Sequence, residues 1–348
     1  RSCARPSPEP WRSEAVHPMT FPPLVLEGLS MLGGIAFLVW GADRFVLGAS
    51  ALANNMGVSP LLIGLTIVGF GTSAPEMLVS AVAASQGSSG IAIGNAVGSN
   101  ITNAALVLGA SALVGPLAVH SKVIRRELPV LLLVSLGAYA LMWDRHLGRG
   151  DGIVLLLCLI GMVSWVVREA RMEGSEVSPD ALSVEMEDEI PRDMSTPVAL
   201  FWVVFGLAIL MASSDRLGGG ATGVARHFNV PDLLIGLTVV AVGTSLPELA
   251  ASVAASRRGE DDIAIGNVVG SNIFNLLGVL ALPGIIAPGG FDEAVLRFDF
   301  PVMIGLTVLV LVLARGFRNE RRLTRAHGAL LVACFVAYNV YLFTQHAG

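Results

Sequence analysis

Long apolar runs follow one another along the whole chain, and short polar or charged segments separate them. A helix of about 20 apolar residues is long enough to cross the ~30 Å hydrocarbon core of a lipid bilayer. The pattern predicts an all-α polytopic membrane protein with ten transmembrane helices. The predicted spans are residues 24–53, 58–85, 91–117, 128–143, 152–167, 198–224, 230–256, 263–287, 298–314 and 328–343.

The second and third spans contain a polar segment that the seventh and eighth spans repeat. Residues 71–103 read GTSAPEMLVSAVAASQGSSGIAIGNAVGSNITN, and residues 243–275 read GTSLPELAASVAASRRGEDDIAIGNVVGSNIFN. The copies align without a gap at an offset of 172 residues, and from residue 43 to residue 103 the partners are identical at 32 of 61 positions. Each copy belongs to a group of five spans, an odd number, so the second group enters the membrane in the opposite sense. We therefore predict two inverted five-helix repeats, an arrangement typical of transporters with a site at the repeat interface.

The composition agrees with a membrane protein. The 348 residues are 53% hydrophobic and only 14% charged, whereas a soluble domain carries about 25% charged residues. No basic patch is interleaved with aromatic residues, which argues against nucleic-acid binding. The spacing of Cys3, Cys158 and Cys334 suggests neither a metal knuckle nor a disulfide framework. We expect no cofactor, and we expect the chain to work as a monomer in the bilayer.

The positions of Lys and Arg predict the orientation of the chain. The loops after spans 3, 5, 7 and 9 contain thirteen of these residues, and the opposite side contains four beyond residues 1–18. Because positive loops stay in the cytoplasm, both termini should lie outside the cell membrane and the central loop inside. The predicted divisions are residues 19–167 and 197–348 for the repeats, 168–196 for an acidic cytoplasmic loop, and 1–18 for a disordered or non-native extension before Met19.

The duplicated segment predicts a break in two of the spans. Pro75 and Pro247 each remove a backbone donor and clash with the preceding turn of a helix. Beside them lie Glu76 and Glu248, near the middle of their spans. A charged group at the bilayer centre costs on the order of 2.5–3.5 kcal/mol on insertion scales, and a bound cation would compensate for it.

The residues near the breaks offer oxygen ligands, which favour Na⁺ or Ca²⁺ over zinc or copper. Two glutamates match the charge of one Ca²⁺, and the backbone and hydroxyls of Thr72 and Thr244 would complete its shell. Sodium needs fewer and less charged ligands. The candidate sodium ligands are Ser73, Ser245, Ser99, Ser271 and the carbonyls of Gly69 and Ala241. Asn103 and Asn275 lie four residues after Ser99 and Ser271, on the same helix face.

Other small and polar residues of the segment have a simpler explanation. Gly94, Gly98, Gly266 and Gly270 allow close helix packing. The dipeptides Asp43-Arg44 and Asp215-Arg216 are interpreted as interface anchors or salt bridges rather than as ion ligands. The central loop lacks the D-x-D-x-D-G order of a calcium loop, so we interpret it as a solvated acidic linker.

The paired motifs GTSAPE with GNAVGSNITN and GTSLPE with GNVVGSNIFN resemble the two alpha-repeats of the calcium/cation antiporter superfamily, and are most similar to its prokaryotic sodium/calcium exchanger branch. The resemblance covers the chain from about Met19. It implies a core of helices 2, 3, 7 and 8 and a sliding pair of helices 1 and 6. It also implies that Glu76 and Glu248 bind Ca²⁺ with the two threonines, while the serines, asparagines and carbonyls named above share in sodium binding.

This chain departs from some members of that superfamily at Asn103 and Asn275, where they carry an aspartate. Asn275 argues against the potassium dependence of one branch, and the pair leaves the number of sodium ions per cycle open. The leading hypothesis is a Na⁺/Ca²⁺ antiporter that extrudes Ca²⁺. A Ca²⁺/H⁺ antiporter is the alternative, and a cation channel is a weaker one. No nucleophile–base set or phosphate loop suggests an enzyme.

Overall fold

Helices make up most of the protein. The computed structural model describes residues 23–58, 60–85, 87, 89–120, 123–173, 194–227, 241–315 and 321–346. The predicted extension 1–18, most of the acidic loop and the first part of the seventh span lie outside these residues. In the first half the helices are α1 Pro23–Met56, α2 Pro60–Ile63, α3 Gly69–Thr72, α4 Ala74–Ser85, α5 Ser89–Thr102, α6 Leu108–Val114, α7 Leu128–Leu141 and α8 Arg149–Glu173.

The second half has a similar sequence of elements. Its helices are α9 Thr196–His227, α10 Ala241–Thr244, α11 Leu246–Arg257, α12 Asp261–Phe274, α13 Ala281–Ile286, α14 Phe300–Arg315 and α15 Arg325–His346. In the described part of the chain, five π-helical turns join or precede the helices, at Gly64–Val68, Asn103–Val107, Val123–Glu127, Asn275–Val279 and Val295–Asp299. The same residues include four short strands, β1 Leu117–Ala118, β2 His146–Leu147, β3 Gly289–Gly290 and β4 Arg322–Leu323.

Many of these helices are suited to a membrane. Seven of the helical segments in the described residues are long and apolar enough to span a bilayer, and a bent pair, Gly64–Thr72 with Ala74–Ser85, brings the number to eight. These correspond to eight of the ten predicted spans. The fourth predicted span corresponds to α7, a helix of 14 residues, and the π turn that leads into it carries Arg125, Arg126 and Glu127, so this segment is not among the eight. The seventh is only partly described. These two spans stay predictions.

Some predicted boundaries were wrong. The third span was expected to reach residue 117, but α6 ends at Val114, and Gly115 is extended with φ −144°. The following Pro116 explains this end, since a proline disfavours helical backbone in the residue before it. The chain then forms β1, which pairs antiparallel with β4. Helix α8, which contains the fifth predicted span, continues to Glu173, but its apolar segment long enough to cross a membrane, Arg149–Val166, ends close to the predicted residue 167.

The long helices α1 and α9 pack along each other in opposite directions. Asn55, near the end of α1, donates a hydrogen bond to the carbonyl of Met194 just before α9, at 2.9 Å. Further back along α1, Phe45 lies against Gly206, where a Cβ atom would come within 2.8 Å of the Phe45 backbone. The pair therefore lies in close backbone contact.

Contacts between the two halves recur in matching places. Helix α8 of the first half packs against α13, and α15 of the second half packs against α6. Strands β1 and β4 pair in the same way as β2 and β3. Helix α12 lies in the interior, where its residues from Ile263 to Phe274 are all buried, and it packs against α11 and the π turn Gly64–Val68. This interior position makes α12 one wall of the candidate site.

Candidate cation site

Both copies of the polar segment break their helix at the same serine. Ser73 separates α3 from α4 and has φ −82° and ψ 2°, and Ser245 separates α10 from α11 with φ −88° and ψ 6°. The axes on the two sides of Ser73 differ by 45°. The prolines cause the interruption, because Pro75 has no N–H to donate to the carbonyl of Gly71 four residues earlier. The predicted breaks are therefore confirmed.

The two breaks face each other through their serines and glutamates. The Ser73 hydroxyl donates to Oε1 of Glu248 at 3.4 Å, and the Ser245 hydroxyl donates to Oε1 of Glu76 at the same distance. Both carboxylates are completely buried, and the Oε2 atom of each has no hydrogen-bond partner among the described residues. Residues that are 172 positions apart in the sequence thus form one reciprocal group.

Thr72 connects the first break to helix α12. Its hydroxyl lies 3.0 Å from the carbonyl oxygen of Val68 and 3.0 Å from Oδ1 of Asn267. It is also 3.2 Å from the Ser271 hydroxyl, which in turn donates to the carbonyl of Gly69 at 3.3 Å. Thr72, Gly69 and Ser271 are therefore brought together. In the other copy, Thr244 donates to Oδ1 of Asn95 at 3.5 Å.

The remaining predicted ligands are less firmly connected to the glutamates. Ser99, Asn103 and Asn275 are completely buried, and within the described part of the chain their side-chain polar atoms have no hydrogen-bond partner. Asn103 and Asn275 each begin a π-helical turn, and single π turns occur frequently at functional sites. Ala241 is the first residue of α10.

Four buried polar residues beside the site were missed from the sequence. The amide of Asn95 donates to the carbonyl of Glu76 at 3.2 Å and to the Ser80 hydroxyl at 3.1 Å. The amide of Asn267 makes the corresponding bonds, to Glu248 at 3.1 Å and to Ser252 at 2.8 Å. All four could have been found, since each is a polar residue in an apolar helix that the second copy repeats in register.

The arrangement is suited to binding a hard cation. Buried oxygen atoms need hydrogen-bond donors or cations around them, and several here have neither. Within the described residues no ion pair of Lys, Arg or His involves either glutamate, and no group of three His, Cys, Asp or Glu side chains is placed to hold a metal ion. Two carboxylates surrounded by hydroxyl and amide oxygens suit Ca²⁺ or Na⁺.

The dipeptide Asp43-Arg44 has partners other than these oxygens. Asp43 accepts a hydrogen bond from Nε of Arg258, which follows α11, at 3.0 Å. The guanidinium of Arg44 lies over the ring of Trp202, 5.2 Å from its centroid, and 5.9 Å from that of Trp40. Asp43 thus forms the expected salt bridge, although with a residue of the other half rather than with its neighbour.

Comparisons with known proteins agree over nearly the whole chain. A family model described as "Sodium/calcium exchanger protein" matches residues 28–168 and 198–344. CaxA of Alkalimonas amylolytica is 47% identical over 327 residues, covering 92% of this chain and 100% of CaxA. The sodium/calcium exchanger MaX1 of Methanosarcina acetivorans is 32% identical over 352 residues, covering 90% and 98%. A solved structure of the sodium-calcium exchanger NCX_Mj, soaked with Na⁺ and Sr²⁺, has a TM-score of 0.76 at 31% identity and covers 90% and 98% of the two chains.

Proposed function

The chain belongs to the sodium/calcium exchanger family, and from this premise we propose that it is a secondary active Na⁺/Ca²⁺ antiporter. It extrudes Ca²⁺ by alternating access, and the inward sodium gradient drives the extrusion. Both ions are substrates of the protein rather than resident cofactors. The observation that carries the proposal is the reciprocal pairing of Glu76 and Glu248 with the serines of the opposite break.

We assign Ca²⁺ to the space between the two glutamates. Two carboxylates carry a charge of −2, which one Ca²⁺ neutralises, and Ca²⁺ takes about 6–8 oxygen ligands. The hydroxyls and backbone of Thr72 and Thr244 add to the four carboxylate oxygens. The burial of both glutamates supports this assignment, because their charge would otherwise be uncompensated in the membrane.

We assign Na⁺ to the oxygens around that centre. Sodium accepts neutral ligands, and hydroxyl, amide and carbonyl oxygens surround the two carboxylates. This group is Ser73, Ser245, Ser99, Ser271, Asn103, Asn275 and the carbonyls of Gly69 and Ala241. One set of oxygens that holds either a divalent ion or several sodium ions makes the two cargoes mutually exclusive, which is the physical basis of exchange.

The proposed architecture has ten transmembrane helices in two inverted five-helix repeats, and the second, third, seventh and eighth predicted spans surround the site. The mirrored contacts of α8 with α13 and of α15 with α6 support this symmetry. Helices α1 and α9 are then the first and sixth spans, and as a close pair they form the element that moves against the core. Following the Lys and Arg distribution, we place both termini outside the plasma membrane of a prokaryote and the central loop in the cytoplasm.

Transport by purified protein in liposomes tests this function. Vesicles loaded with Na⁺ and diluted into sodium-free buffer with ⁴⁵Ca²⁺ should accumulate the label, and accumulation should saturate with Ca²⁺. Uptake that follows only an imposed pH gradient would replace Na⁺ by H⁺ as the coupled ion. Flux that does not saturate and needs no counter-ion would indicate a channel instead.

A further inference from the structure

All polar atoms of the Asn267 side chain have partners at the candidate site. Its two N–H groups donate to the carbonyl of Glu248 at 3.1 Å and to the Ser252 hydroxyl at 2.8 Å. Its Oδ1 atom lies 3.0 Å from the hydroxyl of Thr72 and 3.4 Å from that of Ser271, each of which has one proton and a second acceptor nearby. Both donors of this carboxamide are therefore occupied by the protein, and its oxygen faces two hydroxyls of the candidate site.

Asn95 makes the corresponding contacts in the first copy. Its amide nitrogen donates to the carbonyl of Glu76 at 3.2 Å and to the Ser80 hydroxyl at 3.1 Å. Its Oδ1 accepts from the hydroxyl of Thr244 at 3.5 Å. The same pattern therefore occurs twice, although the residues involved come from opposite halves of the chain.

The two asparagines join groups that a divalent ion would need at a fixed separation. Asn267 is bonded to the backbone of one glutamate, Glu248, and to the threonine of the opposite break, Thr72. Thr72 is the last residue before the first break, and Glu248 lies in the first turn after the second break, so the two belong to separate helices. An amide that bonds to both fixes their spacing without touching the ion.

The asparagine also affects the direction of the threonine hydroxyl. A hydroxyl has one proton to donate and two lone pairs. While the Thr72 proton points to Oδ1 of Asn267 or to the Val68 carbonyl, its lone pairs are available to a cation. Without the amide oxygen, one of these two acceptors is lost, and the proton can turn toward a neighbouring acceptor in the site and compete with the ion.

We propose that Asn95 and Asn267 are positioning residues for Ca²⁺, each acting through the glutamate of its own repeat and the threonine of the opposite repeat. This inference rests on the proposed function for the identity of the ion. It predicts a selective effect, because the glutamates and threonines are the assigned Ca²⁺ ligands. Loss of either asparagine should weaken Ca²⁺ binding more than sodium activation.

The test is a titration of detergent-solubilised protein with Ca²⁺, combined with a double-mutant cycle. Asn267→Ala should raise the Ca²⁺ dissociation constant about three- to tenfold, the range expected for loss of a neutral hydrogen bond. In a Thr72→Val background the same substitution should have a smaller effect, because the part of its role that acts through Thr72 is already lost and residues in contact are not additive. The half-activating Na⁺ concentration in liposomes should change less than the Ca²⁺ constant.

Asn272→Ala is the matched control. Asn272 is the same residue type on the same helix, it is 1% exposed, and its Oδ1 has no partner among the described residues. It should leave Ca²⁺ affinity unchanged. If Asn267→Ala proves too unstable to purify, Asn95→Ala with Thr244→Val gives the same cycle in the other repeat.

The outcomes separate this inference from the function on which it rests. The positioning role would be overturned if Asn267→Ala left the Ca²⁺ affinity unchanged. It would also be overturned if Asn267→Ala lowered the Ca²⁺ affinity by the same factor with Thr72 and with Thr72→Val. Neither result would affect sodium-driven exchange by the wild-type protein. Wild-type protein that binds Ca²⁺ but shows no sodium-driven uptake would overturn the antiport mechanism alone, since the titration does not depend on coupling.

Discussion

At the scale of single residues, the site combines two buried acids with neutral oxygens and no basic residue as counter-ion in the described chain. Glu76 and Glu248 contact one serine hydroxyl each, at 3.4 Å, which is long for an O–H···O hydrogen bond. Even a well-formed hydrogen bond to a charged group contributes about 1.5–3 kcal/mol, whereas each charge at the bilayer centre costs on the order of 2.5–3.5 kcal/mol. Under the proposed function, the bound cation stabilises both charges together.

His120 provides a pH-dependent contact outside the spans. Its Nδ1 lies 2.6 Å from Oδ1 of Asp262, at the start of α12, and this contact raises the pKa of His120 above its ordinary value of 6.5. A raised pKa means that the folded protein binds the proton more tightly. The stabilisation is present below about pH 6.5 and is lost as the pH rises through the raised value.

We therefore predict that His120→Gln lowers the unfolding temperature at pH 5.5 and much less at pH 9. The side chain is 58% exposed, so the loss should correspond to a surface ion pair, about 0.2–1 kcal/mol. Thermal unfolding in detergent at the two pH values measures it. An equal deficit at both would contradict the ion-pair explanation.

The residue types of the site could be predicted from the sequence, and their connections could not. The doubled motif identified the glutamates, threonines and serines, because polar groups in an apolar span are costly and their repetition in both copies indicates a functional role. It did not reveal that Ser73 contacts Glu248 rather than Glu76, since that pairing depends on how two helices meet. The sequence did not single out Asn95 and Asn267, because an amide that bonds to the backbone of a glutamate has no ligand pattern of its own.

At the scale of helices, close packing around the breaks keeps the site in place. The π turn Gly64–Val68 leads into the first break and lies directly against α12. A Cβ atom at Gly270 would be 2.5 Å from the carbonyl oxygen of Leu65 and 2.9 Å from its Cα atom. Because these are backbone atoms, the turn would have to move away from α12 to admit a methyl group. The packing role expected for Gly270 agrees with this geometry.

Gly270→Ala should destabilise the protein by about 1–3 kcal/mol, the usual cost of overpacking a filled interior. Gly137→Ala on α7 is the control, since its Cβ would meet nothing within 4 Å and alanine favours a helix. Thermal unfolding of the purified variants gives the comparison. Equal unfolding temperatures for both would show that the turn and α12 are not held in contact.

The helix breaks could be predicted, but the π turns could not. A proline in an apolar run interrupts the helix by its own chemistry, so Pro75 and Pro247 were sufficient. The turns beginning at Asn103 and Asn275 contain no residue that enforces them. They depend on packing against neighbouring helices, which a single sequence does not display.

At the scale of the whole molecule, several kinds of contact connect the halves. The helix pairs α8–α13 and α15–α6 are reciprocal, while Asp43 of α1 pairs with Arg258 after α11. The sequence predicted the repeat and the number of spans from hydropathy and register. It did not predict the Asp43–Arg258 pair, because the position equivalent to Arg258 in the first copy is Gln86 and the repeat offers no counterpart.

The central loop should be dispensable for exchange. Replacing residues 173–193 by a Gly/Ser linker of equal length removes eight acidic residues and preserves the contact of Asn55 with Met194. We expect nearly unchanged sodium-driven uptake, because the segment reads as a solvated linker. Strong loss of Ca²⁺ activation in the same liposome assay would instead assign a regulatory ion site to the loop.

The central claim is that one glutamate from each repeat is required for a single Ca²⁺ site. Sodium-driven ⁴⁵Ca²⁺ uptake by Glu76→Gln and Glu248→Gln proteins tests it most directly, with Glu293→Gln as a control whose carboxylate pairs with Arg145 at 2.9 Å away from the site. Each site variant should lose uptake to background, because it removes half of the charge that holds the ion, while the control should transport normally. Normal uptake by either site variant would contradict the account.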